Sequence, residues 1–345
     1  MQEGYRAIGY DINPVMIAIA RGRSCHAGRA ESGFRLLKGL SQRTAPVSHE
    51  EPLIEWFNPV TAKAIRFWRE KIVSVFSSEA DFDVQGFFLT ALFDSVKQSA
   101  AEYGSKNPTW IKRPKPAERI RVESADMCRL FLDNAEKRLQ HCADTSQLHT
   151  PRIAVANASS LPAKASSADV AITSPPYCTR IDYAVSTSLE LAVLGMNESQ
   201  LAILRNSTTG TSTIRDGERT VDRSFCKECD SFLHQVKSHP SKASMTYYSK
   251  NFYQYFSDLA NSLAELDRVV KCSGNIVLVV QDSYYKGIRI DLARIVVELA
   301  EQLEWALIGR DDFDCRHNMR SVNSKSRVYG NASRSIESAL TFRKS

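Results

Sequence analysis

Apolar residues recur at three- and four-residue spacing over 61–76, 83–101 and 125–142, the period of helices that bury one face. The same period runs through 252–270 and 290–303, and Met16, Ile17, Ile19 and Ala20 share one face of a helix over 15–23. Short β-branched or alternating runs stand between the helices. They predict strands at 6–11, 152–156, 170–172, 275–281, 305–308 and 338–342, the last antiparallel beside the one before it. Lys271-Cys272-Ser273-Gly274 reads as a glycine stop at the end of the 252–270 helix. The pattern is that of an α/β protein.

The run Asp169-Val170-Ala171-Ile172-Thr173-Ser174-Pro175-Pro176-Tyr177 carries the most chemistry. A buried strand ends in two prolines, which lack a backbone N–H and fix φ, so neither strand nor helix can continue. A rigid turn results at the C-terminal end of the strand, the edge of an open α/β sheet where ligands bind. An aromatic amine is a poor nucleophile because its lone pair is delocalised into the ring. The Ser174 hydroxyl and the carbonyl preceding Pro176, placed around its N–H groups, would favour a pyramidal and more nucleophilic nitrogen. The prolines would hold those acceptors in place beforehand, and Tyr177 would stack on a base flipped from its duplex. A bare Pro-Pro-Tyr would read equally as an ordinary turn; the nine-residue context argues for the chemistry.

Thr173-Ser174-Pro175-Pro176-Tyr177 resembles the catalytic motif of the amino-group DNA methyltransferases, which transfer a methyl group from S-adenosylmethionine to cytosine N4 or adenine N6. Cys178 to Tyr183 and Leu189 to Gly195 are also similar to that family. A serine before the prolines is met more often in cytosine-N4 enzymes, so N4 is slightly favoured. The resemblance implies a class I methyltransferase, Rossmann-like sheet acting on double-stranded DNA, with a cognate restriction endonuclease as a candidate partner. It makes Ser174, Pro175, Pro176 and Tyr177 the catalytic residues and Thr173 a cofactor neighbour. It also gives Asp11 the ribose hydroxyls of the cofactor and lays Ile12 against the adenine. Asp11 and Asn13 would alternatively cap the following helix. Asn157 stands where the family usually has an acid that accepts from the adenine amino group.

The Gly-rich turn of the family's first strand should lie upstream of Tyr5, and no glycine run replaces it later. The expectation is a chain truncated at its N-terminus, or else a first strand carried on another polypeptide. Loss of that strand would expose the edges of both its neighbours and remove cofactor contacts, which puts activity of this chain in question. The rival readings are an RNA base amino-methyltransferase and an inactive remnant that binds nucleic acid or a partner.

On this reading residues 1–24 and 150–345 form the catalytic core, with 197–242 variable, and 25–149 form a helical insertion lobe. Lys112 and Arg113 lie in a basic, Pro-rich loop with Trp110, suited either to phosphate contact or to a solvated linker. The stretch 206–223 is rich in Ser, Thr, Gly and Arg and reads as a flexible loop. Arg215 and Arg219 there, with Arg180, are candidate phosphate contacts, which position without specifying sequence. Asp282 to Tyr285 would line the base pocket or pack on the lobe. Cys226, Cys229, His234 and His239 have the order of a small zinc knuckle. The same segment has helical apolar spacing and no glycine for tight turns, which favours a helix without metal.

With 345 residues the chain can bury a sizeable core as one domain or two. A net charge of +6 allows a nucleic-acid partner without requiring one. No apolar run is long enough for a bilayer and no secretory pattern opens the chain. Eight mostly scattered cysteines fit reduced thiols, so the expected setting is cytoplasmic, with no membrane partner.

Overall fold

The computed structural model describes residues 4–40, 44–47, 50–104, 112–142, 151–179, 181–215, 223–315 and 335–345. The chain divides into two compact units, one of residues 1–156 and 184–204 and the other of 157–183 and 205–345.

The first unit opens with β1 (Ile8–Asp11) and α1 (Pro14–Arg23). It continues through α2 (Ala27–Lys38), α3 (Pro59–Val75), α4 (Phe82–Ser99) and α5 (Ser124–Gln140) to β2 (Arg152–Val155). Among the described residues, 25–149 contributes helices and no strand to this unit, which also holds β1, α1 and β2. Asn13 caps α1, its side-chain oxygen accepting from the Val15 amide at 3.0 Å. β2 runs parallel to β1, with Asp11 opposite Val155. Arg21 ties α1 to this pair by donating to the Ile153 carbonyl at 2.7 and 3.0 Å.

Gly22 and Gly86 let α1 and α4 touch backbone to backbone. A Cβ on Gly86 would lie 2.5 Å from the Ala18 carbonyl oxygen, and one on Gly22 would lie 2.8 Å from Gly86. Gly86→Ala is expected to lower stability by about 1–3 kcal/mol, although alanine ordinarily strengthens a helix. Chemical denaturation would read the loss, and an unchanged midpoint would show that the helix crossing yields to an added methyl group.

After 183 the chain re-enters the first unit. α6 (Tyr183–Ser186) is followed by α7 (Ser188–Leu194), whose residues 188–193 are all buried, and by α8 (Glu198–Ser207). Gly195 ends α7 with φ of 94°, the left-handed cap for which glycine is suited. Arg66 of α3 lies under that end. It donates to the Val193 and Ala192 carbonyls at 2.9 and 3.1 Å and pairs with Glu51, with its Nε 3.0 Å from the carboxylate. The Leu189–Gly195 stretch is thus a buried structural helix with a charged cap.

The second unit is built on β3 (Ala168–Thr173), β4 (Val270–Gln281), β7 (Trp305–Cys315) and β8 (Ser335–Lys344), in spatial order β3-β4-β8-β7. β3 and β4 are parallel; β8 is antiparallel to both β4 and β7. Helices α9 (Lys227–Ser238), α10 (Ser249–Val269) and α11 (Leu292–Glu301) supply the rest of the core. Phe256, Leu259, Leu263, Ile276, Leu278, Ile295 and Phe342 are among its buried residues. A hairpin of β5 (Ser283–Tyr285) and β6 (Ile288–Ile290) follows β4.

Two local expectations need correction. The 252–270 helix ends without a left-handed glycine: Val269 passes directly into β4, and Ser273 rather than Gly274 has positive φ, 62°. Gly274 serves close approach instead, since a Cβ there would sit 2.6 Å from Val270 and 3.0 Å from the Asp169 carbonyl. Residues 208–215 are tied down rather than loose. Asn251 and Gln254 of α10 donate to the Thr211 and Thr213 carbonyls at 2.8 and 3.1 Å, and the Tyr247 hydroxyl donates to the Ser212 carbonyl. The strand expected at 338–342 does lie antiparallel beside β7; it is longer, and β4 flanks its other side.

Among the described residues, β1 pairs with β2 alone and β3 with β4 alone. On β3, Ala171 packs into the core while Val170 and Ile172, on the opposite face, are 51% and 76% exposed. Each short parallel pair therefore has an open edge of unused backbone groups. No helix among the described residues is long and apolar enough to cross a membrane.

Candidate active site

The Ser174–Tyr177 turn leaves β3 as expected, and the structure adds what holds it. The Ser174 hydroxyl is exposed and donates to the Val279 carbonyl of the neighbouring β4 at 3.1 Å. A hydroxyl has one proton and two lone pairs, so a Ser174 oxygen with its proton committed to β4 meets the solvent side as an acceptor. The Pro176 carbonyl receives the Tyr255 hydroxyl at 2.7 Å. Tyr255 lies in α10 and is fully enclosed, and burial pushes its phenol well above the ordinary range. It therefore stays a donor. Two residues further on, Ser283 donates to the Cys178 carbonyl at 2.8 Å. The turn is clamped from β4, α10 and β5.

The Tyr177 hydroxyl donates to the Glu337 carboxylate of β8. Burial first, and the hydrogen bond to Glu337 second, push the Tyr177 phenol up to about 12. Thr173 is the last residue of β3, opposite Leu278. Cys178 is buried against the aromatic core.

Asn157 and Arg215 both line a polar cavity of about 520 Å³ with Ser159, Asn206, Ser207, Thr209 and Asp258. The Asn157 side-chain oxygen accepts from both the amide and the hydroxyl of Ser159 at 2.9 Å, closing an Asx turn. Arg215 makes a two-pronged pair with Asp258, both contacts at 2.7 Å, and its Nε donates to the Asn206 carbonyl at 2.6 Å. Its fork is thus occupied within the protein, and phosphate contact would require that pair to open.

Asp11 and Ile12 belong to the first unit. One Asp11 oxygen accepts from the Asn13 amide at 2.7 Å, while Asn13 itself caps α1. The cap role weighed for this turn thus falls to Asn13, and Asp11 is exposed at the strand tip. Lys112 is exposed. Arg113 reaches Glu55 at 2.9 Å and Glu198 at 3.3 Å and stands over the Trp56 ring. Arg180 and Arg219 lie outside the described residues, as does most of the basic loop before Lys112.

Asp282 is buried and paired with Arg289, and Tyr285 packs against Tyr248 and Phe252. The 226–239 segment is α9, whose Cys229, Phe232, Leu233 and Val236 face the core.

Sequence reasoning missed Glu337, Tyr255 and Asp258. Glu337 lies one residue before the stretch read as a strand, and Tyr255 reads in sequence only as one more apolar position of a helix.

No family model matches the chain. Over 146 residues it is 27% identical to the Type II methyltransferase M.AvaI of Nostoc sp. (strain PCC 7120) and, equally, to that of Anabaena variabilis. The match covers 39% of this chain and spans 30% of the relatives' length.

Proposed function

We propose that this chain is a DNA methyltransferase that transfers the methyl group of S-adenosylmethionine to an exocyclic amine of a flipped base, cytosine N4 ahead of adenine N6. The fold would then be of the class I, Rossmann-like kind. The observation that carries the reading is the clamped Ser174–Tyr177 turn, with an outward acceptor at Ser174 and an aromatic ring fixed at its hydroxyl. The similarity to a methyltransferase over 146 residues supports it.

The bound cofactor supplies an electrophilic methyl on a sulfonium sulfur; the chain's task is to present the nitrogen. Ser174 Oγ accepts one N–H of the amine, and the Pro175 carbonyl, held by the two prolines, accepts the other. These contacts draw the lone pair out of conjugation, which is worth most where the acceptors need not reorganise. Tyr177 receives the face of the base. Cys178 is buried and takes no part. On the cofactor side, the exposed Asp11 carboxylate fits a ribose diol, with Ile12 beside it and Thr173 near the turn. Asn157 fits less well, since both lone pairs of its oxygen are engaged by Ser159.

Lys112, Arg113, Arg180, Arg215 and Arg219 would meet the phosphates of double-stranded DNA, which for Arg113 and Arg215 means exchanging a carboxylate partner for a phosphate. A cytoplasmic site of action and a partner endonuclease complete the reading. The open edges of β1 and β3 favour a second one, an inactive remnant that only binds nucleic acid or a partner.

Mass spectrometry of nucleosides from DNA of methylation-free cells expressing the chain decides between them. N4-methylcytosine or N6-methyladenine that disappears in Tyr177→Ala is the expected result. Unmodified DNA alongside folded, soluble protein would favour the remnant.

A further inference from the structure

The contact between Tyr177 and Glu337 is a feature of the turn that neither the motif nor its chemistry requires. Glu337 sits in β8, opposite Gln281 of β4 and Phe313 of β7. Because β8 runs antiparallel, its beginning meets the C-terminal ends of β3 and β4, where the turn emerges. One carboxylate oxygen takes the Tyr177 hydroxyl, and the other is 4.0 Å from Cys315 Sγ at the end of β7. The Ser174 hydroxyl also contacts the Tyr177 hydroxyl. A carboxylate can only accept, so the phenol proton points at Glu337 and the Tyr177 ring is held at both ends, by the prolines at its backbone and by β8 at its oxygen.

We propose that Glu337 is a positioning residue that fixes the plane of the Tyr177 ring for stacking on the flipped base. This rests on the methyltransferase reading. A stacking ring free to swing about χ1 would have to be ordered anew with each base, and ordering it in advance spares that cost. The Ser174 and Tyr177 hydroxyls would be aligned by the same contact, so the acceptor and the stacking ring are set together.

The test reads the contact and the reaction separately. The full chain is produced with 3-fluorotyrosine, whose phenol ionises at lower pH than that of tyrosine, and fluorine NMR follows each ring. The Tyr177 signal is identified by its loss in Tyr177→Phe. In the unaltered chain it should titrate later than exposed tyrosines. In Glu337→Ala its midpoint should fall by about one pH unit, because removing the carboxylate removes what disfavours the phenolate. Glu337→Gln keeps an acceptor oxygen and serves if the alanine variant fails to fold.

Methyl transfer should fall about tenfold in kcat in Glu337→Ala and recover in part in Glu337→Gln, with little change in KM for the cofactor. A Tyr177 midpoint that is the same with and without Glu337 overturns the contact, whatever the activity. A shifted midpoint with undiminished kcat overturns the positioning role. A shifted midpoint in a chain that never methylates DNA overturns the methyltransferase reading, and with it the purpose assigned to the contact.

Discussion

Ser174→Ala should slow methyl transfer by about 10²-fold or more while leaving the folded state nearly untouched. The magnitude is that of removing one preorganised polar group from the place where charge develops. Stability should hardly respond, because the side chain is exposed and water can replace its 3.1 Å bond to the Val279 carbonyl and its contact with the Tyr177 hydroxyl. The effect should appear in kcat, with KM for the cofactor unchanged, since the hydroxyl acts on the amine. Single-turnover transfer on a methylatable duplex, with thermal unfolding of the same preparations, provides the comparison. A variant that transfers at the original rate would remove Ser174 from the mechanism and leave the acceptor role to the Pro175 carbonyl alone.

Arg66→Ala should be the most damaging single change to the first unit, by about 3–5 kcal/mol. The guanidinium is 7% exposed and its partner Glu51 8%, and it also holds two carbonyls at the end of α7. Truncation leaves a buried carboxylate and two carbonyls without their donor. The companion experiment is the double replacement Arg66→Met with Glu51→Leu, which removes both charges and should recover much of the loss. Urea denaturation measures both. If the single and double variants unfold together, the ion pair is not what secures α7.

The residues that were legible from sequence share one property: their signal is local. Asn13 and Pro14 announce the start of α1, and the doubled proline announces the end of β3, because each acts on the backbone within a few positions. Helical spacing likewise located α3, α4, α5 and α10 to within a few residues. What escaped depends on distant partners. Glu337 matters because β8 enters between β4 and β7, and no periodicity in 335–344 states which strands will flank it. Arg215 looked like a free cation in a polar loop. Its neutralising partner, Asp258, lies 43 residues away on the face of α10, beyond any local pattern. The loop itself looked flexible because Ser, Thr and Gly are turn residues, and what fastens it belongs to Asn251 and Gln254 of another element. Gly274 misled in a different way. A glycine after a helix usually supplies a left-handed turn, whereas this one makes room for the Asp169 carbonyl of β3.

The position of β8 has a consequence for how the protein is made. In the sheet order β3-β4-β8-β7, the strand synthesised last of the four is an interior one. β7 bonds to the rest of the sheet only through β8, so until residues 335–344 leave the ribosome β7 has no partner strand and the far edge of β4 stays open. β3, made about 100 residues before its partner β4, must wait still longer for its neighbouring strand. The sheet therefore does not assemble in chain order: β8 must insert between β4 and β7, and the same insertion delivers Glu337 to Tyr177.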